Sequence, residues 1–252
     1  MGRFKMDDIV PSLLEKIQSD FTARTLTSDK LKSALKTLKT RKADYLTVND
    51  FAIEVGNILS SVFGDNITAD VLPDGRMYYN IAERILNPTM SNNFSLISDF
   101  SSEVQALLNE SVGINIRAQT PDINQSRIDG IIDRLADADD FETIKWILDD
   151  PIINFCQSVV DDAVKANDDF HYDAGLKPVI TRRLGGDACA WCRNLAGSYE
   201  YHSEPEDIYR RHERCRCTVE YKPDKKKRQN AWTKVIRDVS EIERRKTLNL
   251  RE

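Results

Sequence analysis

The sequence has little cysteine or histidine and no long apolar run. It contains 5 Cys and 3 His among 252 residues, with only 10 Gly and 8 Pro. The low Gly and Pro content excludes a collagen-like chain, and 40% hydrophobic with 31% charged residues is ordinary for a folded protein. No apolar run approaches the roughly 20 residues of a membrane-spanning helix, so we expect no membrane partner.

The N-terminal stretch also lacks the apolar core of a secretory signal, and Met6 stands where the myristoylation pattern requires Ser or Thr. We therefore expect synthesis in the cytosol. In that compartment a group of cysteines binds metal more often than it forms disulfides.

Charge is distributed unevenly along the chain. Residues 1–176 carry 17 Lys and Arg against 29 Asp and Glu, whereas residues 177–252 carry 19 against 12, so the formal charges are −12 and +7. The basic part indicates an anionic partner, either nucleic acid or an acidic protein surface. A solvated basic face with nearby counter-charges is the plainer interpretation.

Hydrophobic spacing predicts an α+β protein that is mainly α-helical, with a small C-terminal Cys/His metal-held β module. We divide it into a helical body, 1–176, and a module, 177–252. Residues 112–119, 177–184 and 217–223 alternate like strands, and residues 231–252 resemble a final helix. The segment NPTMSNN, residues 87–93, is expected to interrupt a helix.

Three isolated residues have structural interpretations. Cys156 lies on the apolar face of a helix opened by Asp150-Pro151, so we expect a buried small hydrophobe. His171 ends that helix and is expected to cap it or to lie on the surface. His202, in its loop, is expected to lie on the surface.

The remaining four cysteines lie within residues 189–217, in the order Cys189-x2-Cys192, then 19 residues, then His212-x2-Cys215-x-Cys217. Structural zinc takes four tetrahedral sulfur and nitrogen ligands, and two close pairs across a loop are typical of such a site. We expect four of these five residues to hold zinc. Cys189, Cys192 and Cys215 are the firmer set, and the fourth ligand is His212 or Cys217.

Two other chemistries remain open for this cluster. Cys189 and Cys192 could be a redox pair, although the sequence shows no βαβ unit around them. Cys215 or Cys217 could be a nucleophile with His212 as its base, but no orienting acid or oxyanion hole is evident. For the metal-held loop we expect a small apolar core formed by Leu195, Tyr199, Tyr201 and Tyr209.

These residues resemble the C-terminal signature of minor capsid, or head-morphogenesis, proteins of tailed phages of Gram-positive bacteria, which are related to the F protein of phage Mu. That signature is C-x-x-C, then Leu-x-Gly with an aromatic residue, then His-x-x-Cys-Arg-Cys. Its counterparts here are Cys189, Cys192, Leu195, Gly197, Tyr199, His212, Cys215, Arg216 and Cys217. Residues 80–119, residues 127–176 and the segment KRQNAWTK also resemble such proteins, so the resemblance covers nearly the whole chain.

The resemblance implies a non-enzymatic virion protein, made in the bacterial host cytoplasm, that associates with the portal or the inner capsid. Some family members bind double-stranded DNA, and no small-molecule substrate is implied. Candidate phosphate contacts here are Arg182, Arg183, Arg210, Arg211, Arg214, Arg216, Lys225, Lys226, Lys227 and Arg228, with Arg216 also a candidate structural residue. We expect some of these arginines to pair with Glu204, Glu206, Asp207 or Glu213.

Two hypotheses from other classes remain. A zinc-containing nuclease needs a histidine with acidic partners free for a catalytic metal, which leaves His171 or His202 for that role. A zinc-finger transcription factor would prefer one DNA sequence, whereas a virion component would not.

Overall fold

The structure, a computed structural model, describes residues 8–222. A helical body comes first in the chain, and a small antiparallel sheet follows. The helices are α1 (Val10–Thr27), α2 (Asp29–Lys39), α3 (Tyr45–Asn66), α4 (Tyr79–Ser111), α5 (Gln125–Ala136), α6 (Phe141–Ile144) and α7 (Asp150–Asp173). The remaining elements are β1 (Val179–Arg183), α8 (Ala190–Leu195), β2 (Gly197–Glu200) and β3 (Thr218–Lys222). The predicted fold class is therefore confirmed.

Several helix starts follow from local capping chemistry. Ser28 accepts a hydrogen bond from the backbone N–H of Leu31 at the start of α2, and Asp44 caps α3 through a capping box with Thr47. Pro151 lies in the first turn of α7, where its missing N–H costs nothing.

Helices α3 and α7 form the centre of the body and approach each other closely at Gly56. A Cβ atom on Gly56 would lie 2.8 Å from the Cα of Ile153, so glycine is needed for this approach. Cys156 packs at the same contact and is fully buried, which confirms it as a small core residue.

Helix α4 runs without interruption through Pro88, so the predicted break at residues 87–93 is wrong. Proline removes one backbone hydrogen bond, which here would go to the carbonyl of Arg84. The apolar face continues on both sides of Pro88 with Ile85 and Met90, and both are fully buried. Burial along the whole helix outweighs this local cost.

Residues 112–119 form no strand, which corrects the prediction made from their alternation. Side-chain amides take the place of a neighbouring strand. The Nδ2 of Asn109 donates to the carbonyl of Ile116 at 3.0 Å, and Asn167 bonds both the N–H and the carbonyl of Gln119 at 2.8 Å. These bonds satisfy backbone groups of Ile116 and Gln119 without a paired strand.

The sheet has the order β2-β1-β3, with both pairs antiparallel. The strands predicted over 177–184 and 217–223 are confirmed, whereas β2 was missed. In the register, Ile180 of β1 lies between Tyr199 of β2 and Tyr221 of β3.

The sheet and the helices share one hydrophobic core. Ile180, Ile208, Val219 and Tyr221 belong to the same buried cluster as the helix side chains. Of the residues expected to form a small apolar core for the loop, Tyr199, Tyr201 and Tyr209 pack against this common core and Leu195 is buried. The boundary at 176 stays a division by composition. The predicted final helix, 231–252, lies outside the described residues. Within residues 8–222, no helix combines the length and apolarity that a membrane crossing requires.

A buried network of side-chain hydrogen bonds joins the sheet to the helices. Gln105 of α4 accepts a hydrogen bond from the hydroxyl of Tyr45 and donates to the hydroxyl of Tyr221 at 2.8 Å. That hydroxyl lies 2.7 Å from the Nδ1 of His171. His171 is fully buried, so its predicted capping or surface role is wrong, and burial lowers its pKa to about 4.

Asp168, one turn before His171, is a fully buried carboxyl group. Its Oδ2 accepts a hydrogen bond from the hydroxyl of Tyr209 at 3.4 Å, while Oδ1 has no partner among residues 8–222. Burial, with Glu204 nearby, raises the pKa of Asp168 to about 8. The folded state therefore holds a proton near neutral pH that the unfolded state releases.

Asp168→Asn should stabilise the protein more at pH 8 than at pH 6.5. With the folded pKa raised, the contribution of Asp168 to stability is full below the unfolded pKa and is lost as pH rises towards about 8. His171 is present in both proteins, so its own pH dependence cancels in the difference between them. We expect a gain of about 1–3 kcal/mol at pH 8 in urea unfolding. Exposed Asp173→Asn is the control, and an equal effect of Asp168→Asn at both pH values would contradict this assignment.

Candidate metal centre

The five predicted ligand residues converge at one end of the sheet. Cys189 is the N-cap of α8, and its sulfur accepts a hydrogen bond from the backbone N–H of Cys192 at 3.5 Å. Cys217 lies immediately before β3, so the strand fixes its position. His212 and Cys215 lie on the loop that leads into β3. The short helix and the strand end thus face each other with their sulfur atoms between them.

Two overlapping ligand groups describe the site. Cys189, Cys192 and His212 form one, and Cys192, Cys215 and Cys217 form the other, with all ligand atoms of a group within 4.8 Å of one another. Cys192 belongs to both groups. Cys192, Cys215 and Cys217 are each 1% exposed, whereas Cys189 and His212 are half-buried. This cluster could hold a metal ion.

One sulfur–sulfur distance fits a tetrahedral ion, and the nitrogen–sulfur distances are shorter than such an ion requires. Sulfur atoms bound at about 2.3 Å around a tetrahedral centre lie about 3.8 Å apart. The Sγ atoms of Cys192 and Cys215 are 3.8 Å apart. The Nε2 of His212 lies 2.9 Å from the Sγ of Cys192 and 3.3 Å from that of Cys189, so these contacts lengthen modestly around a bound ion.

The other ring nitrogen of His212 is held by the backbone. Its Nδ1 lies 2.5 Å from the carbonyl oxygen of Glu213, so Nδ1 carries the proton and donates. This tautomer leaves the lone pair of Nε2 directed at the sulfur atoms, which is the usual arrangement of a metal-binding histidine. The ring of Trp191 stands edge-on to His212 and limits its rotation.

The two C-terminal cysteines differ in character. A hydrogen bond from the side chain of Cys217 lowers the pKa of Cys215 to about 4, and the guanidinium groups of Arg211 and Arg182 act in the same direction. The same hydrogen bond, with burial, raises the pKa of Cys217. The hydrogen bond between the two side chains and the nearby guanidinium groups together favour one thiolate in this pair.

The backbone next to the cluster is packed too tightly for side chains. A Cβ atom on Gly185 would lie 2.0 Å from the carbonyl oxygen of Arg216. The chain after β1 passes directly against the Cys215–Cys217 segment at this point. Glycine at 185 is consequently a requirement of the site.

Two of the predicted phosphate contacts are buried beside the cluster, which corrects the prediction for Arg182 and Arg211. Arg182 is 2% exposed, donates to the carbonyl of Ile208 and lies 3.6 Å from the sulfur of Cys215. Arg211 pairs with Asp161, and the two side chains are 2% and 1% exposed. Neither guanidinium group reaches solvent, where a phosphate would be met.

Three predicted phosphate contacts lie on the surface, each beside an acidic partner. Arg183 pairs with Glu220, Arg210 with Asp207 and Arg214 with Glu213, as expected for the last two. Arg216 pairs with Asp150 at 2.9 Å, which gives it the structural role that was one of its two interpretations. Lys225, Lys226, Lys227 and Arg228 lie outside the described residues.

The histidines that the nuclease alternative would use lie in unrelated surroundings. His171 is buried against Tyr221, and His202 is exposed and stacks on Tyr172 and Tyr201. The surface position predicted for His202 is confirmed. In residues 8–222, both groups of three potential metal ligands fall within the Cys/His cluster.

The thiol chemistry of the redox alternative has partial support in the geometry. Cys189 does begin a helix, but β1 and β2 on either side of it are antiparallel neighbours, so no parallel βαβ unit is present here. All five cysteines are free thiols.

Comparisons of the sequence with protein-family models, with curated proteins and with solved structures find no match.

Proposed function

We propose that Cys189, Cys192, His212 and Cys215 bind one structural zinc ion. The contact of the His212 Nε2 with two cysteine sulfurs carries this proposal, because a half-buried imidazole whose Nε2 lone pair points between two thiols is placed as a metal ligand. Thiolate and imidazole ligands in a tetrahedral set favour zinc over harder cations. Four protein ligands leave no position for an activated water, so the ion would serve the fold and not hydrolysis.

His212 is favoured over Cys217 as the fourth ligand. The Nε2 of the histidine lies within 3.3 Å of the sulfurs of Cys189 and Cys192, and its Nδ1 is fixed on Glu213. Cys217 is placed to donate its S–H to the Cys215 thiolate, which is the role of an outer-shell residue. Three thiolates around Zn²⁺ leave one negative charge, which the guanidinium group of Arg182 would offset from 3.6 Å.

We further propose that the protein is a non-enzymatic minor capsid, or head-morphogenesis, component of a tailed phage, associated with the portal or the inner capsid. Support comes from the signature that carries the sequence resemblance. Its cysteines and histidine meet in one closed cluster, while its leucine, glycine and tyrosine lie in or beside α8 and β2, the elements next to Cys192. A compact, metal-held surface module suits a protein that is built into a particle.

The same proposal includes a contact with packaged double-stranded DNA. Arg183, Arg210 and Arg214 are exposed, and their acidic partners are surface groups that a phosphate can displace. The basic run of residues 225–228 would add to this contact. Binding of this kind depends on salt and not on DNA sequence.

The test is to follow the chain in the phage that encodes it. We expect mass spectrometry to find it in purified particles in far fewer copies than the major capsid protein, and deletion of the gene to reduce the yield of infectious particles. Absence from particles and procapsids would contradict the proposal. Cleavage of DNA by the purified protein with magnesium or manganese, lost in His202→Ala, would favour the nuclease instead.

A further inference from the structure

We propose that Arg182 is the buried counter-ion of the Cys/His cluster and that, through Trp191, it also holds His212 in its ligand position. This inference rests on the proposed zinc site and extends it to two positioning residues that are not ligands. In the register of the sheet, Arg182 of β1 lies between Gly197 of β2 and Val219 of β3. Strand pairing on both sides therefore fixes the backbone from which the guanidinium group reaches the cluster.

The guanidinium group of Arg182 is a buried charge without a carboxylate partner. The residue is 2% exposed, and no carboxylate among residues 8–222 forms an ion pair with it. Asp161 is a neighbouring carboxylate, but both of its oxygens are bonded to Arg211. One buried carboxylate thus stands against two buried guanidinium groups. Because a buried charge is strongly unfavourable unless it is paired, a further negative group is needed beside Arg182.

The metal-loaded cluster supplies that negative group. Three thiolates and one neutral imidazole on a divalent ion leave one negative charge, which matches the one positive charge left over. The contact is direct, since Nη2 of Arg182 donates to the Sγ of Cys215 at 3.6 Å. Nη1 donates to the carbonyl of Ile208, so the guanidinium group is held in one orientation. A fourth thiolate, from Cys217, would leave one negative charge unmatched, which favours His212 in that place.

The ring of Trp191 connects the same guanidinium group to the histidine ligand. Arg182 lies over this ring, 5.4 Å from its centroid, which is a cation–π distance. The ring of His212 meets Trp191 edge-on, with centroids 5.7 Å apart and planes at 83°. Trp191 itself lies in α8 between Cys189 and Cys192 and packs against the buried sulfur cluster. Three planar groups in contact therefore join β1, α8 and the loop that carries His212.

Two substitutions of Arg182 separate its charge from its shape. Arg182→Met removes the charge and both hydrogen bonds, so we expect zinc affinity to fall about 10- to 100-fold, as for other groups that support metal ligands. Arg182→Lys keeps the charge but has no flat face for Trp191, so it should recover part of this loss. A competitive chelator titration of the full-length protein measures these affinities.

Arg193→Met is the matched control. It makes the same chemical change on an exposed residue that directly follows the ligand Cys192 in the chain. Its zinc affinity should stay within about twofold of that of the unsubstituted protein, because the side chain lies on the surface.

Cobalt in place of zinc reports the position of His212, because the visible bands of tetrahedral Co²⁺ depend on its ligands and their angles. We expect Arg182→Lys and Trp191→Leu to shift these bands in the same direction, since both remove support from the imidazole ring. Arg193→Met should leave the bands unchanged. A purely structural role would change the amount of folded protein and not the bands of the centre that forms.

A measurement on the unsubstituted protein keeps the test valid if Arg182→Met fails to fold. The assigned guanidinium N–H resonances of Arg182 should shift when a chelator removes zinc, and those of Arg193 should not. Resonances of Arg182 that stay in place would overturn its role as counter-ion.

The outcomes separate this inference from the proposed function. A protein that takes one zinc ion, with equal affinity in Arg182→Met, would keep the zinc site and overturn the role of Arg182. Cobalt bands that are the same in Arg182→Lys, Trp191→Leu and the unsubstituted protein would overturn the positioning of His212. A protein that takes no zinc would overturn both proposals.

Discussion

Cys192→Ser should reduce the zinc content of the protein from about one ion per chain to a small fraction of that. Cys192 belongs to both ligand groups and lies 2.9 Å from the Nε2 of His212 and 3.8 Å from the sulfur of Cys215. A serine hydroxyl is a poor replacement for a thiolate on zinc. Elemental analysis of protein purified without chelator measures the change directly.

The same substitution should unfold the segment around the cluster. Structural zinc contributes on the order of 10 kcal/mol to the folding of small metal-held units at neutral pH. Without the ion, α8 and the loop that carries His212 lose the bonds that join them. We expect amide exchange over residues 185–217 to rise strongly, while α3 and α7 stay protected by their own core.

Cys156→Ser is the matched control for this experiment. Cys156 is buried between α3 and α7, away from the cluster, and burial raises the pKa of its thiol to about 12. The substitution places a hydroxyl in the core and should lower stability by about 1–3 kcal/mol. Zinc content should stay the same.

The fourth ligand is identified by comparing two further variants. If His212 binds zinc, His212→Ala should lose most of the metal, whereas Cys217→Ser should keep nearly one ion and lower affinity about 10- to 100-fold as an outer-shell change does. The reverse order would assign the place to Cys217.

Two results would contradict the zinc centre altogether. A protein with no metal and two fewer free thiols would contain a disulfide, for which Cys192 and Cys215 are candidates, with sulfur atoms 3.8 Å apart. A protein with no metal and five free thiols would leave the nucleophile hypothesis for Cys215 or Cys217 to be tested.

The Cys/His cluster was largely predictable because its signal is local. The C-x-x-C and H-x-x-C spacings are short enough that chain geometry alone brings each pair together. The strands β1 and β3 were predictable for the same reason, since their alternation matched the final burial. β2 was not, because it has four residues and starts at Gly197, so it is defined by its pairing with β1.

The errors arose where distant partners decide the outcome. Pro88 breaks helices in general, but the buried face of α4 continues past it. Residues 112–119 alternate like a strand, but the side-chain amides of Asn109 and Asn167 donate hydrogen bonds to their backbone carbonyls.

The arginines show this limit most clearly. Composition marks the C-terminal part as basic and cannot separate adjacent residues such as Arg210 and Arg211. Arg210 is 73% exposed, whereas Arg211 is 2% exposed and bonded to Asp161, which is 50 residues earlier in the chain. Their different roles depend on tertiary structure.

Arg211→Met should destabilise the protein by about 3–5 kcal/mol, because it leaves the carboxylate of Asp161 buried without its partner. Two parallel hydrogen bonds of 2.5 and 2.8 Å join the guanidinium group to Asp161, and a third, of 2.8 Å, reaches the carbonyl of Cys217. The ion pair joins α7 to the loop that carries His212 and Cys215. The affinity of the proposed site for zinc should therefore fall as well. Urea unfolding and a competitive chelator titration measure the two effects.

Arg210→Met is the control, since it is the same change one residue earlier on an exposed side chain, and we expect a change in stability within about 0.5 kcal/mol. The double variant Asp161→Leu with Arg211→Met should recover much of the loss, because neither charge of the pair then remains.

The same three variants separate an effect on structure from an effect on DNA binding. Arg210→Met should weaken DNA binding while leaving stability unchanged, whereas Arg211→Met should act through stability. A stable Arg211→Met protein that had lost only its DNA binding would show that Arg211 is a phosphate contact after all.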